Sequence, residues 1–142
     1  MTYWVFALPI AAGIVTQLTK VIIESAKGQF SWHQLKNYGG MPSSHSAFVV
    51  GLMTEIMLID GLYSTTFAIA LVFTILMIRD ATGYRLDIGK HAEILNHLVK
   101  ELPAKEQNKF PFLDERVGHH PKEILVGALI GIAVVLISNI II

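Results

Sequence analysis

The sequence predicts an all-α fold: an integral membrane bundle of about four transmembrane helices with one amphipathic interfacial helix, over residues 1–142 as a single domain. Three observations predict it. Hydrophobic residues make up 53% of the chain and charged residues only 15%, with a mean hydropathy of +0.55, too apolar for an ordinary soluble domain. Four apolar stretches, about 3–23, 44–59, 65–78 and 122–142, are separated by polar segments, and the longest match the thickness of a bilayer core. Between the third and fourth, Ile88, Ala92, Leu95, Val99 and Leu102 recur at intervals of four and three, the mark of an amphipathic helix over about 86–102. The net charge is zero, so nothing global points to nucleic acid. The chain has no cysteine, which excludes disulfides, thiolate catalysis and cysteine metal sites.

The first span carries Tyr3 and Trp4 at one interface. Its start lacks the basic n-region of a cleaved signal peptide, so the run is read as a span. Lys20 and Lys27 follow at its far end, seven apart and therefore on one helical face. A polar loop with Trp32 and Tyr38 leads to the second span, where Glu55 is costly in lipid unless it is paired, placing it toward the bundle in a helix–helix hydrogen bond. Asp60 to Ser64 form a tight turn into the third span. The polar side of the amphipathic helix is expected to carry Lys90, Glu93, Asn96, His97 and Lys100, with the helix lying on the membrane surface or capping the bundle. Residues 103–117 read as a mobile charged loop. In the last span Gly127, Ala128 and Gly131 permit close helix contact.

The stretch Gly39-Gly40-Met41-Pro42-Ser43-Ser44-His45-Ser46-Ala47 is polar and glycine-rich yet enters an apolar run. Gly40 and Pro42 set a non-helical approach, and Ser43 or Ser44 is a natural N-cap. Free amides at a helix start, beside two hydroxyls and an imidazole, suit an anion such as phosphate. The second such stretch is Gly118-His119-His120-Pro121-Lys122-Glu123. His119 and Glu123 are four apart on one helix face, and Pro121 fits the first helical turn. A neutral histidine held in one tautomer by a carboxylate can attack phosphorus, and His45 can serve as the acid for the leaving oxygen. Two spans separate the stretches, so both lie on one side of the membrane. Lys27, Lys36, Arg79, Arg85, Lys90, Lys100, Lys105, Lys109 and Arg116 lie there too, which places both motif loops in the cytoplasm and both termini outside.

These residues resemble a known superfamily. Pro42-Ser43-Ser44-His45 looks like the Pro-Ser-Gly-His motif of the type-2 phosphatidic acid phosphatase and vanadium haloperoxidase superfamily. His119 to Glu123, followed by Gly127-Ala128, is similar to its His-x3-Asp motif, and Lys20 and Lys27 have the spacing of its Lys-x6-Arg-Pro motif. With Asp80-Ala81-x-Gly83-x-Arg85, the pattern is similar to the compact divergent branch found in bacteria and plant plastids. The resemblance implies a lipid phosphatase or pyrophosphatase acting on phosphatidate, phosphatidylglycerophosphate or an isoprenyl diphosphate. It implies His119 as the nucleophile forming a phosphohistidine, Glu123 as its orienting partner and His45 as acid and then base. Ser43, Ser44, Lys20, Lys27, Arg85 and Arg116 would bind phosphate, with Asp80, Gly83, Gly40 and Pro42 supporting them. The scheme requires no cofactor and no metal. Three departures stand out: Ser44 replaces a glycine, Gly28 a proline, and Leu113 the arginine six residues before the nucleophile.

Two other readings compete. A bundle of this kind that binds or moves an anionic lipid without turnover would use the same basic pocket. Asp80, Arg85, Gly89 and Glu93 also resemble, in part, the Asp-Gly-x2-Ala-Arg signature of metal-dependent CDP-alcohol phosphotransferases. The expected partners are a lipid phosphate substrate, membrane lipids and a second copy of the chain in a homodimer.

Overall fold

The computed structural model describes residues 4–26, 28 and 40–141. It is helical, as expected: α1 (Trp4–Ala26), α2 (Ser44–Asp60), α3 (Thr65–Thr82), α4 (Tyr84–Lys100), a single-turn α5 (Ala104–Gln107) and α6 (Pro121–Ile141). Expected Lys27, Trp32, Lys36 and Tyr38 lie outside the described residues.

Local chemistry sets the helix ends. Ser43 caps α2, its hydroxyl accepting from the Ser46 amide at 3.3 Å, and Ser64 caps α3 by accepting from the Phe67 amide at 3.1 Å; both satisfy first-turn donors that would otherwise be orphaned. Gly61 ends α2 at φ 84°, a left-handed conformation that glycine adopts without steric cost.

α2 is the central helix, with α1, α3 and α6 packed around it. α6 runs parallel to it in one register. Gly127 abuts Ser43, Gly131 abuts Ala47 and Val135 abuts Gly51, and the same offset of 84 residues joins Asn139 Nδ2 to Glu55 Oε2 at 2.8 Å. A Cβ on Gly127 would collide with the Ser43 carbonyl oxygen and the Ser46 hydroxyl, and one on Gly131 with the Ala47 carbonyl. Glycine is therefore what lets these backbones touch. Glu55 is 1% exposed and makes the helix–helix bond expected of it.

Helices α1, α3 and α6 are long and apolar enough to cross a membrane. α2, at 17 residues, is shorter but lies alongside α6 from Ser43 to Glu55. Outward faces carry large apolar side chains, among them Phe6 at 69%, Ile69 at 65% and Leu125 at 61% exposure. Water would not tolerate such a continuous surface, and lipid covers it. Buried hydroxyls bond within the bundle, Thr16 to the Ala12 carbonyl at 2.7 Å and Thr74 across to the Val49 carbonyl at 3.2 Å.

α4 leaves the bundle after α3, and residues 108–119 return along it. This arm corrects the expected faces of α4. Its buried residues are Gly89, Ala92 and Asn96, and Ile88, Leu95 and Leu98 are about half exposed. Of the expected stripe, Ala92 is buried while Ile88 and Leu95 stay half uncovered, and Asn96, expected on the polar face, is inside. The segment 103–117, expected as a loop, contains α5 and is tied to α4: Asn96 Nδ2 donates to the Leu113 carbonyl and to Glu115 Oε1, both at 2.8 Å, and Asn96 Oδ1 accepts from the Leu113 amide at 3.0 Å. Gly89 lies flat against the Glu115 carbonyl, and Gly118 against the backbone of Leu86.

Candidate active site

The returning segment of the arm delivers His119 to the end of the bundle where α2 begins. The His119 amide donates to the Ala81 carbonyl of α3 at 3.1 Å, and the Ser43 amide to the Glu123 carbonyl of α6 at 3.1 Å. The Ser-Ser-His stretch, the end of α3 and the start of α6 are thereby joined through main-chain bonds.

His119 is 4% exposed. Its Nδ1 lies 3.0 Å from Glu123 Oε2, and its Nε2 is buried with no hydrogen-bond partner. With Nδ1–H donating to the carboxylate, Nε2 carries the lone pair. Glu123 is fixed by helix geometry, because the same oxygen accepts the His120 amide at 3.2 Å in the manner of a capping box. The His45 ring lies across from His119, their centroids 6.3 Å apart and the planes tilted by 55°. That is within the range of a tilted ring pair, so the two imidazoles sit side by side at this end of the bundle.

Positive charge converges here. The charges of Arg85 and Lys20 both bear on His45. Lys20 is buried at 4% exposure, and Gly40, at φ 107°, passes so close that a Cβ there would meet Lys20 Cε at 2.9 Å and Glu24 Oε1 at 3.3 Å. A side chain at this position would be both strained and obstructed. Arg85 Nε pairs with Asp80 Oδ2 at 2.6 Å, so Asp80 buttresses the arginine.

The site residues expected from sequence fall into distinct settings. His119, Glu123, His45, Lys20 and Arg85 are drawn to one end of the bundle. Ser43 and Pro42 are buried under it, the Ser43 hydroxyl serving as the α2 cap, and Ser44 is half-buried in the first turn. Gly83 ends α3, its amide bonded to the Arg79 carbonyl at 2.9 Å. Arg116 is exposed on the returning segment, its amide donating to Asp114 Oδ1 at 2.9 Å. Lys27 is outside the described residues. Asn96 and Glu115, which clamp the segment leading to His119, were not expected; an asparagine in the middle of a helix, where it is a poor helix former, is the signal that marks one of them.

The acids of the metal-dependent alternative are dispersed. Asp80 is taken by Arg85, Asp87 pairs with Lys90 at 2.9 Å and His97 with Glu101 at 3.5 Å, and Glu93 is exposed. Among the described residues no three potential ligands cluster to hold a metal ion.

Fold and site define a small helical membrane protein with a histidine–carboxylate pair and converging cations where its motif loops meet. The chain belongs to the Divergent PAP2 family, whose model matches residues 2–134. It is also similar to the "Uncharacterized membrane protein YuiD" of Bacillus subtilis (strain 168), 38% identical over 140 residues, covering 90% of this chain and 89% of that one. No solved structure gave a significant match. Family membership places the chain in relation to the phosphatase superfamily.

Proposed function

We propose that the protein is a lipid phosphate phosphohydrolase working through a phosphohistidine. The observation that carries this reading is the state of His119: one ring nitrogen held by Glu123 at 3.0 Å and the other buried and unpartnered. A histidine needed only for packing or for binding an anion has no use for that arrangement, which makes a directed lone pair.

In the proposed reaction Nε2 of His119 attacks phosphorus as the bond to the leaving oxygen breaks. His45 gives that oxygen its proton, releasing an alcohol from a monoester or a phosphate monoester from a diphosphate. Glu123 stabilises the imidazolium character of His119. Arg85, Lys20 and the first amides of α2 balance the charge on the equatorial oxygens. His45, now neutral, takes a proton from water as it attacks the phosphohistidine, giving inorganic phosphate and restoring both histidines.

The competing reading, a bundle that binds an anionic lipid without turnover, has Leu113 in its favour, since the backbone at that position is clamped by Asn96 and the side chain brings no charge. One experiment separates them: phosphate release from a panel of lipid phosphates in EDTA, beside His119→Ala. Release that persists in EDTA and vanishes in the variant supports hydrolysis, and an acid-labile phosphoenzyme in the wild type identifies the intermediate. Vanadate is expected to inhibit, because it adopts the trigonal-bipyramidal geometry of the transition state. Lipid binding by both proteins with no release would establish the binder.

A further inference from the structure

We infer that the site takes its phosphate on a single hydrocarbon chain, which lies in the groove between α1 and α3. The inference rests on the reading of His119 and His45 as a phosphate site and narrows its substrate.

The groove has a volume of about 450 Å³, within the range of ligand-sized clefts. Its polar lining is Gln17, Ser44 and His45; its apolar lining includes Gly13, Phe48 and Phe73. α1 runs antiparallel to α2, so Gln17 shares the histidine end and Gly13 lies further along the membrane-embedded part. A phosphate held at the start of α2 therefore has an apolar channel leading away from it in the direction of the bilayer interior. The channel also opens sideways to lipid, its rim formed by Ile10 at 50%, Ile14 at 55% and Phe73 at 46% exposure.

The other flank of α2 gives no such room. At the same level, the space bounded by Ser46, Ile78, Ala81 and Ile124 amounts to about 10 Å³, the scale of a single water. Beside it, Gly127 and Gly131 bring α6 into backbone contact with α2. A two-chain phosphatidate must send both chains from one glycerol at one depth; among the described residues the groove has room for one of them and the adjoining space on the α3–α6 side has none, so the second chain would have to leave the protein surface at once. A single-chain lipid phosphate or diphosphate fits the space as built.

Gly13 supplies the test. A Cβ there meets Phe48 at 3.8 Å, an ordinary contact, and Gly13 lines the groove, so Gly13→Leu is expected to fold, with helix propensity in its favour, and to fill part of the groove. Wild type and Gly13→Leu are reconstituted in phosphatidylcholine vesicles and given a single-chain alkyl phosphate, a phosphatidate with chains of equal length, and a short soluble phosphomonoester. Expected is a preference of the wild type for the single chain, with the single-chain to short-substrate ratio of kcat/KM falling at least about tenfold in Gly13→Leu, since each displaced methylene forfeits several-fold in affinity. Equal use of the two-chain lipid, or an unchanged ratio in Gly13→Leu, overturns the inference. Binding of a single-chain alkylphosphonate and a two-chain phosphonate is measured on the same samples. If no substrate releases phosphate, hydrolysis fails as a reading, yet preferential single-chain binding weakened by Gly13→Leu still sustains the groove assignment; equal binding of both phosphonates rejects it.

Discussion

Glu123 stands at the third position of α6, where one carboxylate oxygen accepts the His120 amide at 3.2 Å and faces His119 Nδ1 at 3.0 Å. A glutamine there keeps an acceptor for the helix cap but loses the charge that holds and stabilises the imidazolium. Glu123→Gln is expected to preserve folding and to lower kcat by up to about 10⁴-fold, as happens when the orienting carboxylate of a catalytic histidine becomes an amide. Circular dichroism beside single-turnover rates checks both halves. His45 has a different task, so its replacement has a different signature. His45→Gln should slow transfer by on the order of 10²–10⁴ for an alkyl phosphate, and much less for an aryl phosphate whose leaving group needs no proton. Equal losses on both substrates would remove His45 as the acid.

Between helices, what the sequence reveals depends on whether the same residue type always does the same work. Glycines at helical spacing after His119 signalled close contact, and Gly127 and Gly131 make it with α2. Gly131→Ala is therefore expected to destabilise by at least about 1–3 kcal/mol, because the new methyl meets a backbone carbonyl that cannot yield. Gly13→Ala, whose Cβ meets only ordinary contacts, should be neutral or stabilising by about 0.5–1 kcal/mol. Unfolding in mixed micelles compares the two. α4 shows the limit of pattern reading. Its periodicity located the helix but not the buried face, because in a membrane setting an apolar stripe need not face protein: Ile88, Leu95 and Leu98 remain uncovered while Asn96 goes inside. Sequence cannot show that this asparagine grips the backbone 17 residues away. Asn96→Leu leaves the Leu113 peptide and Glu115 without their partner, at a cost of about 1–3 kcal/mol, and should speed amide exchange at Leu113 before it affects α2.

For the molecule as a whole, the helical membrane bundle and the placement of His45, His119 and Glu123 at one end of it were legible in the sequence, because motif order and span parity bring the two motif stretches to the same side; the single turn α5 was not. The convergence of Arg85 with Asp80 was legible only as a possible pair, since a five-residue separation across a helix break fixes no geometry. The same parity yields a prediction about orientation. All eleven lysines and arginines fall within residues 20–36 or 79–122 of the sequence; among the described residues Lys20 and Arg85 lie at the histidine end, and the turn after α2 carries none. Cations flanking spans are retained in the cytoplasm, so the histidine end is expected to face inward and Tyr63, fully exposed in the opposite turn, outward. A phosphate site would itself recruit cations, but Lys105 and Lys109 are exposed on the arm, Lys109 paired to Glu106 at 2.7 Å, so the bias extends beyond the residues drawn to the histidines. The absence of cysteine makes the check direct. Tyr63→Cys in intact cells should react with a membrane-impermeant maleimide, and Phe112→Cys, on the exposed arm, only after permeabilisation; the reverse pattern would place the histidines outside and require a substrate presented from the outer leaflet.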